Sequence, residues 1–377
     1  MSSVGVDPNR PQEVARQLNL RSGLAWKICK VVQEASLADA VPHIPGPTGV
    51  KLFLTAVKKA GAPSEFIDAA RSASTAFQRM VEIHTGDRAT LETMIGGMAT
   101  SSAQSEQNRK LAFQGNSGIW GVRATVQLSL NILSPNQDDP SLCDLAQVAG
   151  LLGFRRLRPD ARWLLFRRER WTDDAPQEEQ DNFEPLDPES PVPDGIPLIP
   201  AFCSTPLPEV EVIHASGEDQ YELPPGPVGN AVAMDCVYGS VSRAIGPAHA
   251  DAAGEFAEVG LTMITPAEHM LLDLLVHRDF TWALQPGFMM YSRMDGGAMN
   301  AKARRDRNLL QFPETVVSLG RGTTPLATSL LPRYNKLVAF TFDRLKLDAD
   351  DFHVFRVTIP YPPIPTVAMF RAELPVR

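Results

Sequence analysis

Two periods of apolar residues divide the chain. From Pro11 to about Met98 they recur every three or four positions, as in helices with one buried face. Pro11 opens the first, in which Val14, Ala15 and Leu18 share a side. Asn19 to Ser22 reads as a turn with Ser22 as N-cap, and Gly23 to Gln33 as a second helix whose apolar positions are Leu24, Ile28, Val31 and Val32. Pro42 and Pro45-Gly46-Pro47 interrupt the pattern, and a third helix runs from Thr48 or Gly49 to Ala60. Ser64 caps a long helix with Phe66, Ala70, Ala73, Phe77, Met80, Val81 and His84 on its stripe. Gly86 ends it, and Asp87 caps a short helix to Met94.

Beyond the polar run Thr100 to Gln107 the period falls to two. Val122, Ala124, Val126, Leu128, Leu130 and Ile132 alternate with polar residues, as in a half-buried strand. Strand patterns recur at Arg162–Arg168, Val210–Ile213, Val228–Cys236, Val259–Ile264, His353–Ile359 and Thr366–Arg371, and helices are expected at Leu142–Leu152, Pro266–Arg278 and Pro332–Leu345. The pattern predicts an α+β protein: a helical domain over residues 1–99, a linker at 100–108 and a mixed α/β body with a loop-rich sheet over 109–377. No repeat of fixed period appears.

Composition sharpens this division. The 377 residues include 32 prolines, above the roughly 5% of ordinary usage, which argues against a helical bundle or a coiled coil. Residues 173–194 hold nine acids and no Lys or Arg, so 173–200 is expected as an acidic, proline-rich extended loop. The formal charge of −8 is an average of unlike parts: residues 1–110 carry 13 basic and 10 acidic side chains, a net of +3, and the rest carry −11. No apolar run is long enough for a membrane span, and no leader pattern opens the chain. Cys29, Cys143, Cys203 and Cys236 form no CxxC pair, as expected of buried thiols in a cytoplasmic protein.

One stretch carries a candidate chemistry. In Val14 to Ile28, a small residue (Ala15) stands among apolar Val14, Leu18 and Leu20. Asn19, which tolerates a left-handed backbone, occupies the turn, and Leu24 and Ile28 supply the second helix's core positions. This stretch resembles the helix-turn-helix of bacterial transcriptional regulators. Ala25, where a β-branched residue is common, departs from that pattern, and Gly23 weakens the second helix. The resemblance implies a second helix lying in the major groove of double-stranded DNA. Arg21, Ser22, Lys27 and Trp26 would then reach base edges, and Arg10, Arg16 and Lys30 would contact phosphates. From Arg10 to Gln33 there are five basic residues and one acid, as a phosphate-contacting patch requires.

Other constellations are weaker. Phe154 to Arg170 holds seven arginines and two acids, a second basic surface that the following acidic run would neutralise. Asp144 to Phe154 faintly echoes a helix-turn-helix. His269, Asp273 and His277, at i, i+4 and i+8 of the helix expected at 266–278, would face the same way and suit a divalent metal, although no HExxH is present. There is no GxSxG elbow, Gly115–Gly121 lacks a P-loop lysine, Leu319–Gly322 reads as a loop suited to an anion, and Tyr361–Pro365 as a crossing between strands.

Three functions are therefore expected in turn. The first is a DNA-binding regulator, a homo-oligomer with a C-terminal oligomerisation or effector-sensing domain, no cofactor and no membrane partner. The others are a self-assembling protein whose helical head is a docking module, and a metal-dependent enzyme using His269, Asp273 and His277.

Overall fold

In a computed structural model of the chain, residues 2–98, 102–169, 183–190, 192, 195–215, 218–294, 308–323 and 326–377 are described. The chain divides into two compact units, Met1–Ser105 and Glu106–Arg377. The first is helical and the second is built on sheets, an α+β arrangement.

The first unit comprises α1 (Pro11–Gln17), α2 (Ser22–Gln33), the single turn α3 (Leu37–Ala40), α4 (Pro47–Lys59), α5 (Ser64–His84) and α6 (Arg88–Met98). Prolines open α1 and α4, where a missing N–H costs nothing. Val6, Val14, Leu18, Ala25, Cys29, Leu54, Val57 and Ile67 form its core. Three expectations need correction. Ser22 is not the cap: α2 begins there, with the N–H groups of Leu24 and Ala25 donating to the carbonyl of Arg21. On α5 the expected stripe is buried only towards its C-terminal end: Val81 is buried and Phe77 and Met80 are half-buried, whereas Phe66, Ala70 and Ala73 are exposed, and near the start it is Ile67, off the stripe, that enters the core. Finally, α6 runs on to Met98. Asp87 does cap it, its carboxylate accepting from the Thr90 N–H at 2.8 Å. Of the stretch expected as a linker, Thr100 and Ser101 lie outside the described residues, and from Ser102 it is helical, the start of α7 (Ser102–Trp120).

In the second unit the strands are β1 (Val122–Pro135), β2 (Leu142–Arg156), β3 (Trp163–Glu169), β4 (Phe183–Pro185), β5 (Glu211–Ala215), β6 (Glu218–Leu223), β7 (Met234–Pro247), β8 (Phe256–Met263), β9 (Ala267–His277), β10 (Gly287–Ser292), β11 (Leu309–Leu310), β12 (Val317–Arg321), β13 (Phe352–Pro360) and β14 (Thr366–Glu373). A seven-stranded sheet has the order β12-β13-β9-β1-β2-β7-β4, a four-stranded sheet β11-β10-β14-β8 and a small one β3-β6-β5. The pair β1–β9 is parallel, and the other strand pairs are antiparallel. Helix α8 (Tyr334–Leu345) buries Tyr334, Leu337, Val338, Thr341, Phe342 and Leu345. Tyr334 reaches Asp273, which is in register with Leu130, so α8 covers the face of β1 that carries its even-numbered residues. On the odd-numbered side, Gln127 and Gln147 donate to the β8 carbonyls of Thr262 and Gly260, at 3.0 and 3.2 Å. The four-stranded sheet therefore covers the other face.

The helices expected at 142–152 and 266–278 are the strands β2 and β9. Both sit inside the large sheet and are buried on both sides, so they read as near-continuous apolar runs without the alternation that marks a strand. Gly150 records how close the chains lie: a Cβ there would meet the carbonyl oxygen of Cys236 at 2.5 Å. The strand expected from Val228 begins only at Met234.

Much of the acidic run, 173–182 with 191, 193 and 194, lies outside the described residues. Its remainder is not a surface loop. Phe183–Pro185 pairs with β7, and Leu186, Ile196, Leu198 and Ile199 enter the core. Proline takes terminal places: β1, β4, β7 and β13 each end on one, where a ladder hydrogen bond is no longer needed. Leu319–Gly322 lies largely in β12 and is not a loop, whereas 361–365 is the crossing from β13 to β14. All four cysteines are free and buried.

Candidate nucleic-acid interface

The connection between α1 and α2 is a Schellman motif. The Leu20 N–H donates to the carbonyl of Ala15 at 2.9 Å and the Asn19 N–H to that of Arg16 at 3.4 Å. Asn19 has φ +51°, the left-handed conformation expected of it. The turn aligns the buried side of α1 (Val14, Leu18) with that of α2 (Ala25, Ile28, Cys29). Ala25, the departure from the family pattern, is fully buried, and Leu24 is half-buried. A small side chain at Ala25 lets two short helices approach closely. The preceding segment is tied down as well: the Gln33 side chain donates to the Pro8 carbonyl at 2.6 Å.

The structure brings most of the expected side chains to the surface of this hairpin but does not leave them equally available. Arg16, Arg21, Ser22 and Lys27 are exposed, and Trp26 is 44% exposed with its ring edge-on to His43. Arg10 lies 3.9 Å from Asp7 and 3.5 Å from Glu13, and the half-buried Lys30 pairs with Glu34 at 3.1 Å. Asp7 and Glu34 fall just outside the sequence window that counted five bases against one acid. The cations without an acidic partner on this hairpin are Arg16, Arg21 and Lys27.

Three arginines of the second basic segment, Arg155, Arg156 and Arg162, are committed to partners within the unit. Arg123 and Arg155 share Glu268, Arg162 meets Glu211 and Glu222, and Arg156, 3% exposed, donates to the carbonyls of Ala161 and Pro224. These acids lie outside the acidic run that was expected to neutralise the segment. Asp187 and Glu189 of that run bind Arg344.

His269, Asp273 and His277 do share one face, but of a strand. Four residues of strand span about 13 Å, so the three cannot converge on one ion. Among the described residues no group of His, Cys, Asp or Glu is placed to hold a metal. Asp273 is wholly buried and its carboxylate is occupied. Arg356 donates to both oxygens at 2.8 and 2.7 Å, and the Tyr334 hydroxyl donates to Oδ2 at 2.7 Å. Burial, with the neighbouring carboxylate next, pushes the Tyr334 phenol well above its ordinary range, so it remains a donor at neutral pH. His269 stacks on Tyr361, and His277 lies 3.5 Å from Asp279.

A feature not expected from the sequence lies in the second unit, where β1, β2 and β7 meet the start of α8. A cavity of about 280 Å³ opens there, walled by apolar Val126, Leu152, Phe202, Val237, Leu331 and Leu337. A bulge interrupts the β2–β7 register between Leu151 and Phe154, and within it Gly153 has φ +59°. Its N–H donates to Asp235 Oδ1 at 2.8 Å. The sequence signal for this place was Gly153 itself, which reads equally well as a helix stop. Asp235 and Arg333 also line the cavity and come from distant, unremarkable stretches.

Among the described residues no helix is long and apolar enough to cross a membrane. No family model, curated protein or solved structure matches the chain.

Proposed function

We propose that the chain is a DNA-binding transcriptional regulator, in which α1 and α2 form a helix-turn-helix and the second unit serves oligomerisation or effector sensing. The observation that carries this reading is the Asn19 turn. It joins two short helices through a left-handed residue, places Val14 and Leu18 in one core with Ala25 and Cys29, and leaves Arg21, Ser22, Trp26 and Lys27 exposed at and beyond the start of the second helix. Side chains at that end of a recognition helix meet base edges, and cations around it meet phosphates. Arg16, Arg21 and Lys27 are the cations free to do so. Double-stranded DNA is thus the partner, with the protein acting as a homo-oligomer in the cytoplasm, a compartment with which four free buried thiols agree.

The test is a titration of labelled random duplex DNA with the full chain over a series of salt concentrations. Affinity should fall linearly on logarithmic axes, by a slope of about −0.9 per phosphate neutralised. An Arg21→Glu, Lys27→Glu variant should lose most of that binding. Unchanged affinity and slope in a folded variant would overturn the reading.

A further inference from the structure

The cavity beside α8 carries two charges of opposite sign in an apolar wall. Asp235 is half-buried and fixed: its backbone N–H donates to Ser204 Oγ at 2.8 Å, its carbonyl accepts from the Ser204 N–H at 2.9 Å, and one carboxylate oxygen accepts from Gly153. The other oxygen has no partner among the described residues, and no cation pairs with this carboxylate. Arg333 is held with its guanidinium 5.0 Å above the Phe202 ring and donates to the Ala201 carbonyl at 2.6 Å. No carboxylate pairs with it among the described residues. Arg333 also stands at the N-cap of α8, a twelve-residue helix whose cap makes no side-chain hydrogen bond, so the positive end of that helix adds to the guanidinium.

Two opposite charges that line one otherwise apolar cavity without pairing with each other match a small molecule with both charges and an apolar body. We propose that this cavity binds an α-amino acid with an apolar side chain. Its ammonium group meets Asp235, its carboxylate meets Arg333 and the start of α8, and its side chain lies against Leu152, Val237 and Leu337. The volume of about 280 Å³ falls just below the range of pockets for drug-sized molecules and so suits a ligand of this size. The ligand deepens the effector-sensing role given above to the second unit and rests on that reading only for its consequence. Its binding is measured without DNA, so either reading can fail alone.

The experiment is calorimetric titration of the full chain with L-leucine, L-methionine and L-phenylalanine, each beside its N-acetyl and carboxamide forms. At least one free amino acid should bind with a dissociation constant of about 1 mM or tighter. Blocking either end should weaken that binding tenfold or more. Asp235→Asn and Arg333→Gln should each do the same while the melting temperature stays near that of the parent. If Asp235→Asn fails to fold, Arg333→Gln at an exposed position and the blocked ligands decide the matter. Absence of binding by all three amino acids up to about 5 mM overturns the proposal. So does binding that survives the loss of either charge.

Discussion

Tyr334 donates its hydroxyl to Asp273 at 2.7 Å, tying the first turn of α8 to a central strand of the large sheet. The same carboxylate is held by Arg356 of the neighbouring strand β13. A charge with no exposure is therefore satisfied from two elements at once.

This triad sets the first expectation. Removing the cation in Arg356→Met leaves a buried carboxylate with one donor and should cost about 3–5 kcal/mol. Tyr334→Phe keeps the ion pair and should cost less, about 1.5–3 kcal/mol. Urea unfolding followed by tryptophan fluorescence compares the two. Equal losses would show that the arginine is not the principal partner.

The turn residue makes the second. Asn19→Gly preserves the positive φ and should leave stability within about 0.5 kcal/mol, whereas Asn19→Ala should cost about 1 kcal/mol, because alanine lacks the short polar side chain that hydrogen-bonds locally in a left-handed backbone. Circular-dichroism melts provide the comparison. DNA affinity at a temperature where both variants are folded should stay near the parent value, because the side chain itself is assigned no contact.

Local pairing makes the third. Arg10 and Lys30 already have acidic neighbours and should matter less to DNA binding than the unpaired cations. Lys27→Ala and Arg21→Ala should each reduce the salt slope by about one, and Arg10→Ala and Lys30→Ala by less. Slopes that fall equally for all four would show that the ion pairs dissolve on binding.

The thiols make the fourth. Burial, with Asp144 next, pushes Cys143 up from 9.0 to about 11, and Cys236 is raised further by burial. The folded state thus holds these protons where the unfolded chain has released them. Stability from this source is whole below pH 9 and falls as pH rises towards 11. Urea midpoints measured at pH 7, 9 and 10 should decline over the last interval, and replacing Cys143 with Ala should flatten the decline.

Much of the architecture was legible from periodicity alone. The Val122–Ile132 alternation marks β1, and the change of period beyond the polar run Thr100 to Gln107 separates the helical from the sheet region, although α7 carries helix through that run to Trp120. The two strands expected as helices share a cause. Strands β2 and β9 have neighbours on both edges and cover on both faces, so no polar side remained to reveal the period. The hairpin residues were legible because helix spacing and a turn residue are local. Arg10 pairs with Glu13 inside residues 10–33 and with Asp7 before them, and Lys30 pairs with Glu34 just after, so the net charge of that stretch overstates the free cations. Asp235 and Arg333, almost a hundred residues apart, meet only through the tertiary fold, and no local pattern announces such a meeting.

The parallel pairing of β1 with β9 has a consequence for how the molecule assembles. Residues 136–266 separate the two strands, so the centre of the large sheet cannot close until most of the second unit has been synthesised. The helical unit, whose contacts are short in sequence, has no such delay. Its folding should run ahead on the ribosome, and the sheet should follow as the slow step set by loop closure over a long span. The open edge of β1, bare until β9 arrives, is then the part of the nascent chain most exposed to pairing with a second copy.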